Sequence, residues 1–143
     1  MLVRQILGNM TGSDVISIKP DAPISEAART LSEKKIGAII VTDEGAPIGI
    51  LSERDIVREL GRRGEGCLRD RVSDLMTRAL IACAPDDTAD FVLTKMTDGR
   101  FRHMPVMQAG AMVGLISIGD VVKARLSELS MEKEALSEMI MGH

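Results

Sequence analysis

The chain has 143 residues, which is enough for one compact domain or for two small halves that share a core. Hydrophobic residues make up 45% and charged residues 27%, as is typical of globular proteins. The net charge of −3 and the lack of Trp and Tyr argue against a basic nucleic-acid surface and against an aromatic platform for single strands.

No segment indicates membrane insertion, export or metal binding. The longest apolar run, residues 36–41, is too short to cross a bilayer, and the N-terminus lacks the apolar region of an export signal. Cys67 and Cys83 form no C-x-x-C pair, and His103 and His143 have no zinc-ligand spacing. We therefore expect a cytoplasmic protein with two reduced thiols, no metal site and no membrane or nucleic-acid partner.

The first predicted elements are a short strand and a helix. Residues 15–18 are rich in β-branched side chains, and Pro20 and Asp21 end this strand. Pro23 suits the first turn of a helix. The apolar positions of this helix recur at helical spacing: Ile24, Ala27, Ala28 and Leu31.

A β-hairpin and a second helix follow. Residues 36–41 have the pattern of a buried strand, residues 43–46 are a turn, and residues 48–51 form the returning strand. The helix begins at Ser52 or Glu53. The first 60 residues therefore predict one βαββα unit.

The unit is present twice. Residues 15–57 align with residues 80–122 without a gap, and the identical positions include Pro20, Gly45, Gly49 and Asp55 of the first copy. The second copy predicts strands at 80–83, 101–106 and 112–116, a helix at 89–96 and a further helix from near Ser117. Two copies related by a pseudo-two-fold axis can pack sheet against sheet and place equivalent loops across a shared cleft.

The connector and the tail lie outside the repeat. Glycines in residues 61–66 indicate a flexible loop, and its arginines are most simply solvated. Residues 121–141 are predicted to be helical, with a 4-3-4-3 apolar spacing that Lys133 interrupts. The apolar positions are Val122, Leu126, Leu129, Leu136 and Ile140. Three heptads suit a homodimeric coiled coil, but packing onto the chain's own core is an equal alternative.

Several motifs together resemble the CBS-domain family. They are Gly49–Asp55, its copy Gly114–Asp120, the leader Val72–Thr77, and the stretch Arg102–Val106. The resemblance covers about residues 1–125. It implies an α/β fold of tandem βαββα CBS repeats, called a Bateman module, with up to two clefts for adenosyl ligands. We divide the chain into repeat 1 (1–66), repeat 2 (67–125) and a helical tail (126–143).

Two Ser-x-x-Asp motifs are the main candidate ligand groups. Ser52 and Ser117 stand where a helix begins, and the unpaired N–H groups there suit a phosphate or a ribose oxygen. Asp55 and Asp120, three residues on, can accept hydrogen bonds from the two ribose hydroxyls. The alternative is a capping box, in which Ser and Asp only close the helix end.

The two copies differ in charge next to this motif. Antiparallel pairing across the second hairpin places His103 opposite Ile116 or Ser117, so that His103 and Arg102 can hold a phosphate. The matching residues of the first copy are uncharged, and that copy has Arg54 inside its motif instead. The alternatives are a structural histidine and a solvated arginine. The site of the second copy is therefore the more complete one.

By resemblance, the base is held by the leader and second strand of the opposite repeat. For the Asp120 cleft, these residues are Val15, Ile16, Ser17, Ile36, Gly37 and Ala38. For the Asp55 cleft, they are Thr77, Ile81, Met104 and Pro105. Most of them are also expected in the core, so backbone groups would read the adenine edge.

The expected function is that of a regulatory module. It would bind an adenosyl nucleotide such as AMP, ADP, ATP, NAD(H) or S-adenosylmethionine and transmit occupancy to a partner protein, as a homodimer. The alternative is a ligand-free dimerisation or scaffold module with the same fold. We expect no enzyme, because the sequence lacks a nucleophile–base pair, a Walker loop and a dinucleotide glycine motif.

Overall fold

The computed structural model describes residues 1–8, 15–78 and 80–141. The helices are α1 (Val3–Gly8), α2 (Ile24–Lys34), α3 (Glu53–Arg63), α4 (Val72–Leu75), α5 (Ala89–Gly99) and α6 (Ile118–Ile140). The strands are β1 (Ser17–Ile18), β2 (Ala38–Asp43), β3 (Ala46–Ser52), β4 (His103–Gln108) and β5 (Ala111–Ser117). The order of these elements confirms the tandem α/β repeat. His143 and the last residues of the predicted tail lie outside the described residues.

The chain divides into two compact units. The first-repeat unit contains the described residues 15–80, and the second-repeat unit combines residues 1–8 with residues 81–141. In the first-repeat unit, β1 lies parallel to β2, and β2 pairs antiparallel with β3. Helices α2 and α3 contribute apolar side chains to its core. The core residues include Ile24, Leu31, Ile39, Val41, Leu51, Ile56 and Val72.

The second-repeat unit has a smaller sheet. Strands β4 and β5 pair antiparallel, but the predicted strand at 80–83 is wrong, because only Cys83 forms a bridge, with Val106. Alanines flank this cysteine, and they favour a strand less than the β-branched residues at 15–18 do. The cores are otherwise alike. The second core includes Val3, Ala89, Val92, Met96, Met104, Val106, Ile116 and Val121.

Both hairpins have the same tight turn. Glu44 and Gly45 have positive φ angles of 50° and 82°, and Ala109 and Gly110 have 52° and 80°. Two consecutive left-handed residues match the twist of the flanking strands, which explains the glycine at the second position of each turn. The predicted turn at 43–46 is confirmed.

The leader segments pack on the opposite repeats. In the first-repeat unit, the Val72 N–H donates to the Ala22 carbonyl at 2.8 Å, and the Ile24 N–H donates to the Asp70 carbonyl at 2.9 Å. In the second-repeat unit, the Val3 N–H donates to the Asp87 carbonyl at 2.9 Å. The sequence boundaries assign the N-terminal leader to repeat 1 and the leader Val72–Thr77 to repeat 2. In the structure, each leader belongs instead to the unit of the other repeat.

The connector is more regular than its glycines suggest. Residues 61–63 form the last turn of α3, and residues 65–69 form a 3₁₀ helix, so the prediction of a flexible loop over 61–66 is wrong. Arg62 and Arg63 both donate to Glu59, and Arg63 also contacts Asp70. The hydrogen bonds from Arg63 and then Arg62 lower the pKa of the Glu59 carboxyl. These ion pairs and the backbone bonds of the 3₁₀ helix order the connector.

The predicted terminal helix is confirmed and is one piece with the last helix of the second repeat. Val121 and Ala124 are buried in the second core, whereas the side chains of residues 129–141 are exposed. The distal part therefore does not pack onto its own core. None of the helices in the described ranges is long and apolar enough to cross a membrane.

Candidate functional site

Both Ser-x-x-Asp motifs form capping boxes. Oγ of Ser52 accepts from the Asp55 N–H at 3.2 Å, and Oγ of Ser117 accepts from the Asp120 N–H at 3.2 Å. Each carboxylate reaches back and accepts from the backbone N–H of its serine at 2.9 Å. The capping alternative is thus confirmed. It is compatible with ligand binding, because a carboxylate has more acceptor sites than the cap uses.

The two aspartates differ in the side chains that donate hydrogen bonds to their carboxylates. In the first copy, Oδ1 of Asp55 accepts from Arg58 at 3.1 Å. In the second copy, the Ser117 hydroxyl donates to Oδ2 of Asp120 at 2.9 Å. Across the three described stretches, no side chain donates to Oδ1 of Asp120. Both aspartates are partly buried. Because Ser117 holds Oδ2 of Asp120, the second copy has an ordered carboxylate whose Oδ1 is an available acceptor.

The hairpin places His103 beside the second motif. His103 pairs with Ser117 in the register of β4 and β5, which confirms the predicted pairing. The carbonyl of Arg102 accepts from the Ile118 N–H at 2.8 Å, while its side chain is exposed. Arg102, a partly buried His103 and the start of α6 therefore lie at one end of the hairpin. An anion there would meet a guanidinium and an imidazole, because the N–H groups of Ser117, Ile118 and Asp120 already have acceptors.

The first copy has the same backbone and a different surface. Ala38 pairs with Ser52, and the carbonyl of Gly37 accepts from the Glu53 N–H at 2.9 Å. Neither Gly37 nor Ala38 carries a charge. Arg54 is exposed in the first turn of α3, as the sequence suggests. The predicted difference between the two motifs is thus present in the structure.

In each copy, a glycine in the strand before the motif serine permits close packing. A Cβ at Gly49 would lie 2.6 Å from Sδ of Met76 and 3.1 Å from the carbonyl oxygen of Thr77. A Cβ at Gly114 would lie 2.7 Å from Cδ2 of Leu7. Thr77 exchanges two backbone hydrogen bonds with Ile50, so it borders β3 close to Ser52. Both glycines therefore lie where a larger residue would collide with a neighbouring side chain.

The other predicted base-binding residues are divided between the two units, and they differ in how exposed they are. Residues Val15, Ile16, Ser17, Ile36, Gly37, Ala38 and Thr77 lie in the first-repeat unit, with Ser52 and Asp55. Residues Ile81, Met104 and Pro105 lie in the second-repeat unit, with Ser117 and Asp120. Ala38, Met104 and Pro105 are buried, so they can contribute only backbone groups to a ligand. Ile81 and Thr77 are exposed.

The cysteines offer no reactive thiol for chemistry at this site. Cys67 and Cys83 are both free and buried. Burial, with a smaller contribution from Asp87, raises the pKa of the Cys83 thiol to about 11. A neutral thiol is a poor nucleophile. Within the described residues, no group of three His, Cys, Asp or Glu side chains could hold a metal ion.

Arg58 is the residue beside the first motif that the sequence analysis does not single out. It occupies the acceptor oxygen of Asp55 and so distinguishes the two motifs. Its position in the sequence could have predicted this ion pair, because opposite charges one helical turn apart pair on a helix surface. The second copy has Lys123 at the same place, and no ion pair joins Lys123 to Asp120 in the described structure.

Comparison with known proteins agrees with this architecture of two α/β repeats with matching Ser-x-x-Asp motifs. The model of the CBS domain matches residues 3–62 and 72–127. The chain therefore belongs to the CBS-domain family, and proteins with this domain are generally regulatory modules rather than enzymes.

Similar proteins include one plant protein and two solved structures. The chain is 34% identical over 127 residues to the mitochondrial CBS domain-containing protein CBSX3 of Arabidopsis thaliana, covering 85% of this chain and 62% of that protein. The structure of ATU1752 from Agrobacterium tumefaciens is 45% identical, with a TM-score of 0.83, covering 87% of this chain and 99% of that one. The CBS domain pair of MJ0100, solved with 5′-methylthioadenosine and S-adenosyl-L-methionine, is 25% identical, with a TM-score of 0.78 and coverage of 90% and 98%.

Proposed function

We propose that this chain is a regulatory module that binds an adenosyl nucleotide at the Ser117–Asp120 motif and transmits its occupancy to a partner protein. The observation that carries the proposal is the state of Asp120. Its carboxylate is fixed by Ser117, and its Oδ1 has no donor among the described side chains. A ribose diol has two hydroxyl donors that such a carboxylate can accept.

The charges near the start of α6 support this end of the second hairpin as the phosphate site. Arg102 can hold phosphate oxygens bidentately, and the start of helix α6 carries the partial positive charge of the helix dipole. His103 adds a partly buried imidazole in register with Ser117. Backbone groups of the predicted base-binding residues would read the adenine edge. The MJ0100 pair, which was solved with two adenosyl compounds, supports this ligand class.

We do not assign an equal role to the Asp55 motif. Arg58 already neutralises Asp55 and uses one of its oxygens. A ribose hydroxyl would have to displace this partner, so the first motif should bind more weakly. We further propose a cytoplasmic homodimer without catalytic activity of its own, because CBS-domain proteins are generally regulatory modules rather than enzymes.

The experiment is a thermal unfolding series with AMP, ADP, ATP, NAD, NADH and S-adenosylmethionine. A ligand at 100 times its Kd stabilises the folded chain by about 2.7 kcal/mol, which is roughly 5–11 °C for a chain of this size. Unfolding is followed by circular dichroism, because the chain has no Trp or Tyr. Absorbance at 260 nm of nucleic-acid-free protein reports a co-purified nucleotide.

Two matched variants locate the site. Asp120→Asn keeps an oxygen for the cap but loses the charge, and we expect it to abolish the ligand-induced shift. Asp55→Asn makes the same change in the first copy and should keep most of the shift. An unchanged shift in Asp120→Asn would remove this motif from the site. The absence of any shift and of a 260 nm band would instead favour the scaffold function.

A further inference from the structure

The terminal part of α6 carries a row of exposed apolar side chains. The CBS-domain match ends at residue 127, whereas α6 continues to Ile140. Leu129 is 50% exposed, Leu136 is 59% exposed and Ile140 is 83% exposed. Single exposed apolar residues are common, but a continuous apolar row on one helix indicates a binding surface.

This row has its own face of the helix. We define the tail stripe as Val122, Leu126, Leu129, Lys133, Leu136 and Ile140. At 3.6 residues per turn, the stripe points away from the face of α6 that buries Val121 and Ala124. Met131, which is also exposed, lies on the side of the helix opposite the stripe. The stripe is therefore not a continuation of the second core.

We propose that the tail stripe binds the same stripe of a second copy of this chain, with the two helices antiparallel. The spacing 4-3-4-3-4 reads the same in both directions from its midpoint near Met131. Antiparallel pairing therefore sets Val122 opposite the partner subunit's Ile140, and Leu126 opposite the partner subunit's Leu136. A surface that is complementary to itself about a two-fold axis is what a symmetric homodimer needs. The paired segment is about 27 Å long.

The charge of Lys133 selects the antiparallel direction. In a parallel pair in register, Lys133 would face Lys133 of the partner subunit inside an apolar layer, and like charges repel there. In the antiparallel pair, Lys133 faces Leu129 of the partner subunit, within one helical turn of the partner's Glu132. A single polar residue inside such a stripe commonly sets orientation and register. This dimer interface does not depend on nucleotide binding.

The oligomeric state of the full chain tests the interface. We expect sedimentation equilibrium to give a dimer for the parent chain and a monomer for Leu136→Asp. The matched control is Met131→Asp, which adds the same charge to a side chain of similar exposure on the opposite side of the helix and should remain a dimer. Circular dichroism checks that both variants are folded. A monomeric parent, or a dimer that survives Leu136→Asp, would overturn the proposal.

Cross-linking tests the direction. Leu126→Cys and Leu136→Cys are made as separate proteins, and both native cysteines are buried. With a short bis-maleimide, antiparallel pairing predicts a covalent dimer only when the two variants are mixed. Within either variant, antiparallel pairing separates the two equivalent cysteines by about 15 Å along the axis. Cross-linking within a single variant would instead show parallel helices and refute the proposed arrangement.

Discussion

Ser117→Ala tests how the second motif is held in place. The hydroxyl of Ser117 makes two hydrogen bonds, accepting from the Asp120 N–H at 3.2 Å and donating to Asp120 Oδ2 at 2.9 Å. Replacing a serine cap by alanine costs about 0.5–2 kcal/mol, and the second bond places this case near the middle or upper part of that range. We expect a loss of about 1–1.5 kcal/mol in the free energy of unfolding, and a fall in Tm of roughly 2–6 °C.

Urea unfolding followed by far-ultraviolet circular dichroism measures this loss. Ser117→Thr keeps the hydroxyl and should recover most of the stability, because threonine is also a good cap. Ser127→Ala is the matched control, since Ser127 is an exposed serine inside the same helix and caps nothing. If Ser117→Ala were as stable as the parent chain, the hydroxyl would not hold Asp120, and only the backbone N–H of residue 117 would order the carboxylate.

Three further variants test the packing and the ionisation around the site. Gly114→Ala places a methyl group 2.7 Å from Leu7 and should cost about 1–3 kcal/mol in urea unfolding, part of which the added change Leu7→Ala should restore. Met104→Ala empties a side chain that is 0% exposed and should cost about 2–5 kcal/mol, measured in the same way. Burial raises the pKa of Cys83 to about 11 from an ordinary value of 9.0, so the unfolded chain loses this proton first as the pH rises. The free energy of unfolding should therefore fall between pH 9 and 11, and Cys83→Ala should show a smaller fall.

The sequence predicted most of the fold because the two copies constrain each other. Elements that are weak alone, such as the turn at Gly45, become reliable when Gly110 repeats them in register. The pairing of His103 with Ser117 also followed from the turn position and strand periodicity alone. Local rules were sufficient wherever the structure is determined by neighbours along the chain.

The predictions were wrong where tertiary contacts decide the structure. Glycines in the connector indicated a loop, but ion pairs of Arg62 and Arg63 and backbone hydrogen bonds order residues 61–69. The strand predicted before Ala84 is reduced to one bridge, because the small side chains there gain little from pairing. The exchange of the leaders was also invisible to local patterns, since it depends on backbone hydrogen bonds between distant residues such as Val3 and Asp87.

The two copies differ in the side chains around their Ser-x-x-Asp motifs, while the backbone geometry of the two motifs is the same. Both motifs keep the same cap geometry, with each serine and aspartate exchanging bonds at 2.9 and 3.2 Å. The cap stabilises the helix start in either copy, so the need for a cap does not explain the difference between the motifs. Arg58 neutralises Asp55, whereas Asp120 keeps an available oxygen next to Arg102 and His103. This difference at the carboxylate is the reason that the proposed ligand site is assigned to the second copy and not to the first.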